Sequence, residues 1–216
     1  MVDPIIRYAG DQKMRDLLRR YACPVPFHTV RTRFMGNIAT PQLDASPARM
    51  IESFWGGALP EFEDTNAAND LFQGLLSLWN HLTKHQSRSR PFRLVREATA
   101  PSLDDLRRLC QTRTEEIEGF GVGLFGADDD EEIALPTRAI QGMARLDEID
   151  AEILGFARVL NDSAQSPTEG EIAETLRQLK ALTRTAETEI HAVLLACVRA
   201  RLGARASHKT GSPTIH

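Results

Sequence analysis

Cysteine is scarce in this chain: its 216 residues hold only Cys23, Cys110 and Cys197. Three thiols this far apart make no disulfide framework and fit the reducing cytoplasm. No apolar run approaches the ~20 residues needed to span a bilayer, so no membrane partner is expected. The opening MVDPIIRYAG has no basic segment leading into an apolar one, so no secretory signal is expected. Positive charge is not in excess either. The formal net charge is −4, which leaves nucleic acid or anionic lipid only local patches to bind. No stretch alternates apolar and polar residues convincingly, which argues against strands. The motif G-x-S-x-G, a Walker lysine loop and a Cys/His catalytic signature are all missing.

Helical periodicity is what the chain does have. With 42% hydrophobic and 26% charged residues, it has the composition of a globular protein. A chain of this length buries roughly 70% of its unfolded surface, enough for one domain with or without an appendage. Asp11 to Tyr21 carries Met14, Leu17, Leu18 and Tyr21 at helical spacing, with Asp11 as N-cap. Pro24 and Pro26 break the pattern, and Val30 to Ala39 resumes it as a short apolar helix. Ser46-Pro47 starts a helix bearing Met50, Ile51, Phe54 and Trp55, which Gly56-Gly57 stops. Asp64 or Thr65 caps the next, whose stripe runs from Ala68 through Leu71, Phe72, Leu75 and Trp79 to Leu82. Gly74, inside it, costs about 1 kcal/mol against Ala, and a close helix crossing is the expected reason.

Lys84 to Arg96 is polar, basic and interrupted by Pro91, and reads as a connecting loop. Ser102 and Asp105 open a helix over Leu103 to Phe120. Two long helices follow, Thr137 to Leu160 and Glu171 to about Leu202, the second with a capping box at Thr168 and Glu171. They are expected to fold back on one another as an antiparallel hairpin. A disordered tail is expected over 205–216. The expected fold class is all-α: a helical bundle domain over 1–134, then a C-terminal antiparallel helical hairpin over 135–204.

The order FMGNIATP, SPARMIESFWGG, LPEFEDTNAANDLFQGLLSLWNHL and EEIEGFGVGLFG, across residues 35–126, resembles the YecA/YgfB-like family of small bacterial all-helical proteins. Members of that family show a glycine-containing helix leading to a proline and a helix ending in an aromatic residue with glycine. A Pro-Glu-Phe acidic loop and a Gly-Phe-x-x-Gly helix follow. The resemblance implies an all-helical fold, no established enzymatic activity, and binding to protein partners. Some relatives carry a C-terminal Cys/His zinc module. After Gly126 this chain has only Cys197, so zinc is not carried over and no cofactor is expected.

Several residue sets invite a chemical reading. His81 and His85, four apart on one helix, have the spacing of a metal pair, but Leu82 stands where H-E-x-x-H has its glutamate. They read first as boundary histidines that pack and hydrogen-bond, with a metal site needing a third ligand as the alternative. Gly119, Gly121 and Gly123 suggest a phosphate loop, yet a helix precedes them and the acidic run Asp128 to Glu132 follows, so close helix packing is expected. The acidic run lacks EF-hand spacing and reads as a solvated turn. Lys84, Arg88, Arg90, Arg93 and Arg96 form the one basic cluster, with a single aromatic, Phe92. It reads as a solvated loop, with an acidic partner surface or RNA as alternatives. Trp55 and Phe62 are expected in the core and, if exposed, would anchor a partner. The last long helix is the candidate for a homodimer contact, with packing on its own chain an equally good explanation.

The expected function is therefore a cytoplasmic, non-enzymatic adaptor or regulator that binds another protein. Trp55, Phe62, Arg88, Arg90 and Arg93 are its candidate contacts. The alternative is an RNA- or ribosome-associated protein using the basic loop 84–96. A metal-dependent hydrolase built on His81 and His85 is the third reading.

Overall fold

Helix start signals act locally in this chain as its sequence leads one to expect. Ser46 accepts the Ala48 amide at 3.2 Å, Asp64 that of Ala67 at 2.8 Å, and Ser102 that of Asp105 at 3.2 Å. Thr168 and Glu171 exchange the two bonds of a capping box, at 2.8 and 3.3 Å. The first helix differs: Gly10 is its N-cap and Asp11 lies in the first turn. A computed structural model describes residues 7–42, 46–96, 100–126, 133–162 and 167–210. Its helices are α1 (Asp11–Arg20), α2 (Phe27–Ala39), α3 (Pro47–Ser53), α4 (Thr65–Leu82), α5 (Leu103–Phe125), α6 (Thr137–Asn161) and α7 (Glu169–Thr210), with a 3-10 turn at Thr83–Gln86. The fold is all-α, with no strand among the described residues. No described helix is long and apolar enough to cross a membrane.

α2 and α5 cross at the centre, and the other helices pack around them. α4 and α1 lie against α2, whereas α6 and α7 run antiparallel and bring α7 onto both central helices. The crossing is a contact of backbones. A Cβ on Gly36 would run into the Phe120 carbonyl, and one on Gly123 into that of Arg33. At Gly119 it would sit 2.6 Å from Thr32 Oγ1. This explains why α5 continues to Phe125, past its expected end at Phe120. Packing offsets the roughly 1 kcal/mol that each helical glycine costs, and only glycine lets the axes approach so closely. Gly74 repeats the pattern on α4, where a Cβ would meet Leu17 Cδ1 at 2.9 Å.

Phe34, Ile38, Leu71, Leu75, Phe120, Ile153, Val193 and Cys197 belong to one continuous core. The apolar stripe of α7 is buried within its own chain from Leu179 to Val198, the packing expected as the alternative to a homodimer contact. α7 extends to Thr210, well past Leu202, so residues 205–210 are helix where a tail was expected. Residues 211–216 and the acidic run 128–132 lie outside the described residues. After α3, Gly56 (φ 72°) and Gly57 (φ 90°) take the left-handed conformation that ends the helix, as the Gly-Gly pair implies.

Two glycine substitutions separate close packing from helix propensity. Gly123→Ala places a methyl against backbone that cannot yield and is expected to destabilise by about 3 kcal/mol or more. At Gly155 a Cβ meets nothing within 4 Å, so Gly155→Ala is expected to stabilise by up to about 1 kcal/mol. Urea unfolding of the two variants beside the parent measures both.

Candidate functional site

The basic stretch 84–96 is a solvated loop over Lys84 and residues 87–91, as expected, and then becomes a strap whose Phe92, Leu94 and Val95 are buried. After the 3-10 turn, residues 91–96 form neither helix nor strand, with Phe92, Leu94 and Val95 inside the core. A buried segment outside helix and sheet must find partners for its backbone elsewhere. Here two carboxylates supply them. Glu187 on α7, its side chain 0% exposed, accepts the Leu94 amide at 3.0 Å, and Glu116 on α5 accepts that of Val95 at 2.8 Å. Arg113, one turn before Glu116, pairs with it and donates to the Val95 carbonyl at 2.8 Å and to Thr183 Oγ1 at 3.2 Å. Burial pushes the Glu116 carboxyl up, and Arg113 and the Val95 amide hold it down.

This arrangement corrects the expected basic patch. Arg93 reaches Glu187 at 2.9 Å and Arg96 reaches it at 2.7 Å, so the two arginines neutralise a carboxylate of their own chain. Arg88 and Arg90 stay exposed. Arg31 donates to the Arg93 carbonyl at 3.3 Å and lies 5.4 Å from the Phe92 ring centre, fastening the strap to α2.

The two histidines do not share a helical face. α4 ends at Leu82, so His85 sits in the 3-10 turn, where its Nδ1 is 2.9 Å from the Arg90 carbonyl and its ring packs edge-on to Phe92. His81 stacks on Tyr8 at 4.9 Å, with Nδ1 3.2 Å from Lys84 Nζ. Among the described residues no three His, Cys, Asp or Glu side chains gather to hold a metal. His191 on α7 was not singled out in the sequence, and it carries two buried ring nitrogens with no partner. No spacing signal marks it, because its surroundings come from the turn after α4. Burial lowers the pKa of all three, with His85 and Arg93 adding repulsion at His191 and Lys84 at His81.

Trp55 and Phe62 are half-buried, each packed against the core. Trp55 Nε1 donates to the Tyr21 carbonyl at 3.0 Å, and the Phe62 ring stands 5.5 Å from that of Tyr21. Both tie the loop around α3 to the end of α1. Burial pushes the Cys110 and Cys197 thiols up to about 11, so neither is a thiolate nucleophile near neutral pH. Cys23 is shifted the same way, mainly by burial.

A separate cleft of about 230 Å³ opens where the Pro24-Val25-Pro26 turn meets α2 and α5. Thr29 and Arg33 of α2 and Glu115, Glu118, Gly119 and Val122 of α5 line it. His28 Nε2 and Glu115 Oε2 are 2.6 Å apart, and Gln111 donates to the other oxygen at 2.8 Å. Sequence spacing hints at this cleft only through the i, i+4 pair Thr29 and Arg33, because its other wall comes from a helix far along the chain.

Removing the strap's anchor tests its role. Glu187→Ala strips Leu94 of its acceptor and leaves two arginines without a counter-charge, so a loss of about 3–5 kcal/mol is expected in urea unfolding. Hydrogen exchange at Leu94 and Val95 should rise with it. The histidines set an acid limit. Their folded pKa values lie below the ordinary value of about 6.5, so the folded state binds fewer protons than the unfolded one. Stability should be level above that pH and fall as pH drops below it, and His191→Gln should flatten the fall in unfolding measured across pH. The chain matches no family model, no curated protein and no solved structure, so the resemblance over residues 35–126 rests on those residues alone.

Proposed function

We propose that this chain is a non-enzymatic interaction module and that the outer face of α6 receives a helix of a partner protein. The supporting observation is apolar surface left outside on one helix. Ile140 is 55% exposed, Leu154 37% and Val159 72%. With exposed Ala144 and Ala151, and with Gly155, they fall within a roughly 140° arc at 3.6 residues per turn. Gly155 gives a second reason: no contact within the chain explains it, whereas a crossing helix needs such a gap. Exposed Asp147, Glu148 and Arg158 fall within the same arc and Glu152 borders it, so the partner helix must answer mixed charge as well as apolar surface.

Several buried groups with catalytic chemistry have structural employment instead. Glu116 and Glu187 hold backbone amides, and Cys110 and Cys197 are buried thiols. Of the residues first expected to contact a partner, Trp55, Phe62 and Arg93 are tied to their own chain. Arg88 and Arg90 remain for the alternative of RNA or ribosome binding.

Affinity capture with the full chain from its source cells, with and without nuclease, decides between these. Wild type should recover one protein that survives nuclease and is lost with Leu154→Glu or Val159→Glu, while Arg88→Ala with Arg90→Ala changes nothing. Equal recovery by the α6 variants would sink the reading. Recovery that nuclease or the arginine pair abolishes would transfer the function to the basic turn.

A further inference from the structure

The outer face of α6 carries a ridge with a regular order. Ala144, Asp147, Ala151, Leu154, Arg158 and Asn161 follow one another at alternating steps of three and four residues, and all of them are exposed. That alternation is the repeat of a coiled-coil seam, and here it points away from the chain's own core. The two charged members, Asp147 and Arg158, have opposite signs and lie equally far from the midpoint between residues 152 and 153. Neither forms a hydrogen bond or ion pair with any described residue. Arg145 and Glu148, off the centre of the ridge, pair with each other instead. Apolar, small and charged positions on this ridge are thus laid out so that the second half answers the first.

We propose that the ridge pairs with the same ridge of a second copy of this chain, the two α6 helices running antiparallel about a two-fold axis near residues 152 and 153. This self-pairing rests on the reading of α6 as a docking face and names its occupant. In an antiparallel seam the two alternating sets of positions face each other across the contact. Ala151 then meets Leu154 of the second copy in two central layers, a small side chain against a large one. Asp147 meets Arg158 of the second copy in the layers on either side, and Ala144 meets Asn161 at the ends. A parallel pair would set Asp147 against Asp147 and Arg158 against Arg158, so charge selects the antiparallel arrangement. An unrelated helix would have to carry this order in reverse, whereas a second copy supplies it by symmetry, as in any isologous dimer. Gly155, beside the central layers, has open space where a Cβ would stand and lets the two axes approach. Six layers span about 26 Å of helix. A contact of that length makes a small interface, so the dimer should be reversible and depend on concentration.

Sedimentation equilibrium of the full chain, from low micromolar to hundreds of micromolar, is the test. Wild type should pass from monomer to dimer and no further. Asp147→Arg and Arg158→Asp each place like charges in two layers and should each weaken the dimer by about tenfold or more. Both positions are exposed, so both variants should fold, and circular dichroism checks that they do. With the two substitutions in one chain the opposite charges face each other again, signs exchanged, and the dimer should return close to wild-type strength. In a parallel pair the double substitution would restore nothing. The proposal is overturned if wild type stays monomeric throughout, or if the double variant dimerises no better than the single ones. A monomeric wild type that still captures a different protein, and loses it with Leu154→Glu, overturns the self-pairing and leaves the α6 face as a docking site. A dimer and a capture both indifferent to Leu154→Glu overturn the two readings together.

Discussion

The contact on which the rest of this structure depends is the approach of two backbones at the crossing of α2 and α5. Gly36 and Gly123 admit the partner helix's carbonyls where any side chain would collide, and Gly119 admits Thr29 and Thr32. Packing at this distance leaves no freedom to slide, because each glycine faces backbone or a short β-branched side chain. Everything carried by the two helices is thereby held in register. Arg113 and Glu116 meet the strap, and Thr29 and Arg33 face Glu118 across the cleft.

Around that crossing the protein solves an unusual backbone problem with side-chain charge. Within the irregular residues 91–96, Phe92, Leu94 and Val95 are buried with no strand beside them. Two buried glutamates and an arginine take the place of the missing ladder. Burying these ions costs several kcal/mol each before their pairing is counted. Mutual pairing and the bonds to the backbone offset that cost. What the arrangement secures is position: only this alignment of α5, α7 and the strap satisfies every member.

Local signals made the helices legible in the sequence. Ser46, Asp64, Ser102, Thr168 and the Gly56-Gly57 stop act on neighbours within a turn, and the structure shows each acting so. Packing of Gly74, Gly119 and Gly123 was legible too, because glycine inside an apolar helical pattern needs such a reason. What resisted reading was whatever joins distant segments. Arg93 and Arg96 look like a free basic patch until Glu187, on α7, comes beside them. His85 looks like a helical partner of His81 until α4 yields to a 3-10 turn drawn in by Phe92 and the Arg90 carbonyl. Arg33 and Glu118 have no spacing relation at all, and the cleft exists only once α2 and α5 have crossed.

The strap also orders events during synthesis. Leu94 and Glu187 are 93 residues apart, so a ribosome adding about 5–20 residues per second needs roughly 5–20 s between them. Throughout that interval the Leu94 amide has no acceptor waiting and there is no α7 to pack beside it. The nascent chain therefore presents a short apolar stretch flanked by arginines, the kind of segment that chaperones grip, until its last helix emerges and closes over it.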